Sequence, residues 1–320
     1  MKTDLLLAIV LVVCLSGAVG ASRWLDHQDH DSANRFAEEQ LYLSGRTARR
    51  LTLAFNGVAA DWYWMRSLQY VGRKIVKFED EHDGRFELND LSSLDLRLLA
   101  SLLDVTTTLD PQFIPAYEYG ALILPEVSPD QAIALLNKGI AANPNSSRLY
   151  QHLGYIYWQR KDYARASEVY AAGAKLPGAP AWMTAMAARM KAEGGSRAAA
   201  REMYQHLYES SNDKSVQEMV EHQLLRLDSL DERDAIRRVL DAFKSQNGRC
   251  VGSWREANEE LAVAKIEIGR LNGSSGDSFG VYHVFKFDAN GAPLDPSGMP
   301  YSLIRGGCDV DLDPKSNVAR

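Results

Sequence analysis

Between residues 91 and 245, apolar side chains recur every three or four positions, the spacing that gathers them on one face of an α-helix. Short breakers divide this pattern. Asp110-Pro111 and Asn143-Pro144 end helices because proline biases its predecessor out of helical geometry, and Gly194-Gly195-Ser196 reads as a turn between helices. Ser128-Pro129-Asp130-Gln131 places a capping serine before a first-turn proline, so a helix is predicted to start near Pro129. Upstream, "SLDLRLLASLLDVTTTLDP" predicts a helix ending at Pro111. Its expected partner is "FNGVAADWYWMRSLQYVGRK", set apart by the charged interlude "FEDEHDGRFELND". Downstream, 214–227 and 231–245 predict one more helix pair, with Met219, Leu224, Leu225, Ile236, Leu240 and Phe243 on the apolar faces. Ser253 to Leu271 predicts a final helix with Ser253 as N-cap and Glu256 three residues later. The pattern then changes to alternation in "VYHVFKFDANGAPL" ahead of an Asn-Gly turn, which predicts a strand and turn.

The helical stretch repeats itself with a period of 34 residues: Gly120, Gly154 and Ala188 keep this interval, as do Ala132, Ala166 and Ala200, and then Leu136, Tyr170 and Tyr204. Small residues suit the close approach of two helices, and a bulky residue four positions after each alanine falls on the same helical face. The best copy carries Tyr150, Leu153-Gly154, Tyr157, Ala166 and Tyr170 at fixed offsets. At these positions it resembles the tetratricopeptide repeat (TPR), with tyrosine in place of the usual tryptophan and phenylalanine. The copy before it keeps Tyr119-Gly120, Ala132, Leu136 and Pro144; the copy after it, from about 181 to 211, keeps the small residues and Tyr204. The resemblance covers residues 91–245 and implies an all-α, right-handed helical solenoid.

The organisation expected is therefore an N-terminal transmembrane or signal helix over 1–24, an aromatic-rich helical segment over 33–90, repeats over 91–245, a capping helix over 246–271 and a small strand-turn tail over 272–320. The first of these rests on Lys2 followed by an uncharged apolar run from Leu5 to Ala21, long enough for an anchor, while Gly17, Ala18, Gly20 and Ala21 equally fit a cleaved signal. Either form puts the remainder outside the cytoplasm, on the periplasmic side of a bacterial inner membrane. In that compartment Cys250 and Cys308 can pair, the alternative being two buried thiols. An anchor, an aromatic-rich helix and repeats in this order look like membrane-anchored bacterial TPR proteins of the envelope.

In TPR proteins the first helix of each hairpin lines a concave groove. By register the resemblance assigns Tyr117, Gln151, Tyr155, Trp158 and Arg189 to that surface. Aromatic side chains with a few polar groups suit an extended peptide or a helix. The Lys and Asn set that clamps a C-terminal carboxylate in chaperone-type grooves is missing. A second reading, in which neighbouring hairpins or the tail cover these side chains, stays open at this point.

Composition and charge narrow the function. With 46% hydrophobic and 24% charged residues the chain is of ordinary globular type, and a net charge of −6 argues against a nucleic-acid partner. Nucleophile elbows, zinc-protease signatures and phosphate-cradling glycine loops are absent from the sequence, which implies neither enzyme nor cofactor. His27 and His30 read as a solvated juxtamembrane stretch rather than a metal site. Asp309, Asp311 and Asp313 read as strand alternation with Val310 and Leu312 rather than a calcium loop. Glu79, Asp80, Glu81 and Asp83 read as an exposed turn, and Trp62, Tyr63, Trp64 and Tyr70 as core packing rather than membrane-interface anchors. The expected function is a non-catalytic scaffold or adaptor that binds a protein or peptide at the extracytoplasmic face of the membrane, in an envelope or secretion assembly. The alternatives are a structural subunit with a self-covered groove and an enzyme whose site is not visible in sequence.

Overall fold

The computed structural model describes residues 44–52, 54–82, 84–264, 266–271 and 278–320, together with Ser16. The segment 1–24, apart from Ser16, and the pair His27 and His30 lie outside the described residues. The described chain is mostly helical, with eleven α-helices and two small two-stranded antiparallel sheets. Among the described residues no helix is long and apolar enough to cross a membrane. Contacts divide the chain into two units, up to Ser128 and from Pro129 onward.

In the first unit, α1 (Gly45–Leu51) and α2 (Asn56–His82) both pack on α3 (Leu99–Leu109), which also packs on α4 (Ile114–Val127). Ala48, Ala60, Val105 and Leu109 form the contact core, and a Cβ on Gly45 would lie 2.7 Å from Thr108, so the approach of α1 to α3 requires a glycine there. Tyr70 is buried and donates to the Asp95 carbonyl at 2.8 Å, and Trp64 sits edge-on to Phe113 and Tyr119. Two expectations need correction here. Helix α2 runs on through Phe78-Glu79-Asp80-Glu81-His82, because a charged segment without proline or glycine can continue a helix on its solvent side. Trp62 is not in the core: it keeps 55% of its surface exposed, on the side of α2 opposite buried Ala60 and Ser67.

In the second unit, α5 (Pro129–Ala142), α6 (Ser147–Gln159), α7 (Tyr163–Ala174), α8 (Trp182–Glu193), α9 (Arg197–Ser210) and α10 (Lys214–Asn247) each pack against the next. Helix α5 begins at Pro129, with Asp130 in its first turn. The 34-residue register coincides with burial. Ala132, Ala166, Ala188, Ala200 and Leu136 have no exposed surface, and Tyr170 and Tyr204 have 2% each. Gly154 is buried against the Tyr170 ring, where an added Cβ would lie 2.8 Å from the ring carbons. Leu153 and Tyr157 are buried beside it on α6, and Gly120 is buried on α4. Tyr150 lies against Gly173 of the next helix, whose added Cβ would be 2.6 Å from it. The turn at Gly194-Gly195-Ser196 joins α8 to α9, with Gly195 at φ +89° in the region glycine favours.

The C-terminal part differs from expectation in two places. The predicted pair 214–227 and 231–245 is one helix, α10, which ends at Gly248 with φ +68°. The predicted capping helix 246–271 is not a helix: Trp254–Glu256 is a single 3₁₀ turn, α11 spans only Asn258–Val263, and Ile266–Leu271 is strand β1, paired antiparallel with β2 (Ser278–His283). "IEIGRL" opens with two β-branched isoleucines on either side of Glu267, a short period of two that suits a strand, and its backbone pairs with β2 along its whole length. Strands β3 (Ser302–Ile304) and β4 (Asp309–Asp311) pair farther on, and Val310 and Leu312 are buried between their acidic neighbours. This C-terminal module shares one core with α10, built from Ala235, Ile236, Leu240, Val251, Leu261, Phe285, Tyr301 and Val310 among others. A disulfide joins Cys250 to Cys308 across 58 residues.

Candidate functional site

Helix α6 turns Leu149, Leu153, Ile156 and Tyr157 into the core, which leaves Gln151, Tyr155 and Trp158 toward its other side. Tyr155 keeps 45% of its surface exposed; Gln151 and Trp158 are half-buried. The Tyr155 and Trp158 rings meet edge to face at 5.7 Å, and Gln159 donates to the Tyr155 hydroxyl at 3.2 Å. Arg189 of α8 lies with its guanidinium 5.4 Å from the centre of the Trp158 ring, a cation–π distance. Three of the five residues assigned to a groove therefore form one continuous surface across α6 and α8.

Tyr117 does not belong to such a surface. It has no exposed area, and its hydroxyl donates to the Pro111 carbonyl at 3.2 Å within the first unit. Burial pushes that hydroxyl up to about 12, with Thr107 acting against the shift. The 34-residue register places Tyr117 opposite Gln151, but α4 is apolar over most of its circumference, so register alone does not identify its outward face.

Charges complete the geometry of the exposed patch. Arg189 Nε is buried, makes no hydrogen bond and faces Glu193 Oε1 at 3.6 Å. Arg226 of α10 donates to the same Glu193 oxygen at 3.1 Å. Two guanidinium groups thus flank one carboxylate beside the aromatic pair. Beneath them Tyr204 donates to the Ala185 carbonyl at 3.2 Å, and burial pushes its hydroxyl up to about 12 despite Arg226 and Arg189 nearby. Glu193 and Arg226 were not foreseen. Their only sequence signal is a separation of 33 residues, close to the 34-residue interval, which by itself does not mark an ion pair.

A second charged group ties α9 to α10. Arg197 donates to Asp231 and Asp234 at 2.8 and 2.7 Å, and buried Arg201 donates to Asp228 and Asp231 at 2.8 and 2.9 Å. Burial opposes the charge on Arg197, but the hydrogen bonds from the two aspartates raise its affinity for the proton overall. Every member has an opposite partner, so this group is structural. Lys161 and Arg165 flank the turn between α6 and α7. Arg165 pairs with Asp162 at 3.5 Å and lies over the Tyr157 ring.

The acidic run in the tail is likewise engaged: Arg237 donates to Asp309 at 2.9 Å and Arg233 to Asp311 at 3.3 Å. Among the described residues no group of three or more His, Cys, Asp or Glu side chains is placed to hold a metal ion. No protein-family model matches the chain, and no curated protein does.

Proposed function

We propose that the chain is a non-catalytic adaptor whose helices over 91–245 are TPR-type repeats, held at the extracytoplasmic face of a membrane by the apolar segment Leu5–Ala21. The observation that carries the reading is the continuous patch of Tyr155, Trp158 and Arg189, with Glu193 and Arg226 at its edge. An exposed tyrosine beside a half-buried tryptophan supplies apolar contact at low conformational cost, and such residues dominate binding energy at protein interfaces. The occupant is a protein segment, extended or helical, and the excess guanidinium charge favours one that carries a carboxylate. The C-terminal module packs on α10, while Tyr155 remains 45% exposed, which favours an open surface over a self-covered one. The Cys250–Cys308 disulfide supports an oxidising compartment.

Photo-crosslinking from position 155 in membranes tests this. A specific adduct is expected, and Tyr155→Ala combined with Trp158→Ala, read with a crosslinker moved to position 151, should abolish it while the circular dichroism of the helices is unchanged. An interface hot spot of this kind is worth at least about 2 kcal/mol per aromatic, so the double substitution should weaken capture by roughly a thousandfold. Undiminished capture by the double variant would remove the patch from the binding surface.

A further inference from the structure

Twelve large apolar side chains remain exposed among the described residues, and six of them fall between Leu51 and Val76. Leu51, Phe55, Val58, Trp62 and Met65 are each more than half exposed; Val58, Trp62 and Met65 follow at steps of four and three and form one stripe along the first half of α2, with Leu51 and Phe55 exposed in the chain just ahead of it. The opposite side of α2 is already committed to its own unit through Ala60, Ser67, Tyr70 and Val71. Gly72, on the outward side, has nothing within 4 Å of the position a Cβ would take.

Charge is as uneven as hydrophobicity. Residues 44–78 hold seven basic side chains, Arg46, Arg49, Arg50, Arg66, Arg73, Lys74 and Lys77, against Asp61 alone. The rest of the chain carries 29 basic against 41 acidic residues. Arg46, Arg49 and Arg50 are exposed, and Arg66 lies over the outward Trp62 ring at 5.3 Å. Beyond Lys77 the sign reverses at Glu79-Asp80-Glu81.

We infer that the outward face of α1 and α2 is a lipid-facing surface that rests on the anionic headgroups of a bilayer. Apolar and tryptophan side chains flanked by arginine are what the headgroup boundary accommodates, and several Lys and Arg side chains on an amphipathic helix add electrostatic attraction to acidic lipids. A second copy of the same face would bring like charges together, which disfavours it. The reversal at Glu79 sets the orientation, with the first turns of α2 on the headgroups and its acidic end turned away. The inference rests on the membrane-anchored part of the function proposed above and is independent of the groove.

The test uses the full chain with Cys14→Ser, so that a spin label enters only at Val58→Cys, Met65→Cys or, as a solvent-exposed control, Asp241→Cys. The protein is reconstituted in vesicles of phosphatidylcholine with or without phosphatidylglycerol, and label accessibility to oxygen and to a water-soluble nickel complex is measured. In anionic vesicles the labels at 58 and 65 should be shielded from nickel and open to oxygen, and the label at 241 should not. Arg49→Gln and Arg50→Gln together should shift the ratio of shielded to wet label by roughly fivefold per arginine. Labels at 58 and 65 that stay wet in vesicles carrying the chain would overturn the inference and leave the anchor intact. Labels shielded equally in both lipids, with no effect of the arginine substitutions, would also overturn it. That outcome would assign the face to a protein cover, either a second copy or the chain's acidic stretch Asp26–Glu39. A chain that floats with neither vesicle would overturn both the anchor and the surface.

Discussion

Tyr170 and Tyr204 are each 2% exposed, and burial pushes both hydroxyls up to about 12 from the ordinary 10.0. A folded state that holds a proton more tightly than the unfolded chain is stabilised by it below the unfolded value and loses that stabilisation as pH rises toward the folded one. The second unit should therefore keep its stability up to about pH 10 and lose it progressively to about pH 12, by roughly 3 kcal/mol for each of the two tyrosines. Urea unfolding followed across this range checks the slope, and Tyr204→Phe should flatten it. Residues of this kind were the most legible in sequence. Gly154 and Tyr170 each stand on a 34-residue interval, which marked one as a close helix approach and the other as filler; that the Tyr170 ring is what lies against Gly154 comes from the packing. Tyr117 and Trp62 were not legible. An aromatic side chain gains from burial and from an interface alike, and only the packing of its own unit decides which.

The stretch "LDSLDERD" in α10 has few apolar residues and reads as a boundary between two helices. The structure supplies another reason for its polarity. Ser229 and Glu232 are buried, and the Tyr301 hydroxyl donates to Glu232 at 2.7 Å and lies 3.0 Å from Ser229 Oγ. Asp228, Asp231 and Asp234 receive Arg197 and Arg201 from α9. Polar residues that serve buried partners on two sides look like a solvated turn when read singly, because their partners lie 27 to 72 residues away. Without proline or glycine between Lys214 and Asn247, the helix has no cause to break. Spin labels at the exposed positions His222→Cys and Arg238→Cys, in the Cys14→Ser background, separate the two geometries. Sixteen residues of continuous helix place the backbones about 24 Å apart, whereas a hairpin would bring them to about 10 Å. A double electron–electron resonance distance near the larger value is expected.

At the scale of the molecule, the C-terminal residues form a module that closes on helix α10 and on a disulfide. The crossing that closes it is tight. Gly307 has φ +84°, and a Cβ there would lie 1.8 Å from the Val251 carbonyl oxygen, so only glycine lets Cys308 reach Cys250 at a Cα separation of 4.9 Å. The strands alone are too short to hold such a fold, and two other devices share the task. One is the apolar core on α10; the other is the pair Arg237–Asp309, whose hydrogen bond holds the Asp309 carboxyl below the usual carboxylate range. The alternation that identifies a strand was legible around Val310 and, in "VYHVFKF", only as far as His283, where β2 ends; the surface on which β4 packs was not, because Arg237 of α10 lies 72 residues from Asp309. Removing the crosslink by Cys250→Ser with Cys308→Ser should cost about 2–4 kcal/mol of module stability. Amide hydrogen exchange in the full chain should then rise over 248–320 and along the second half of α10, while α6 to α8, which carry Tyr155, Trp158 and Arg189, keep their protection. If protection were instead lost together from α6 to the C-terminus, the module would be part of the same cooperative unit as the aromatic patch, and oxidation would govern both.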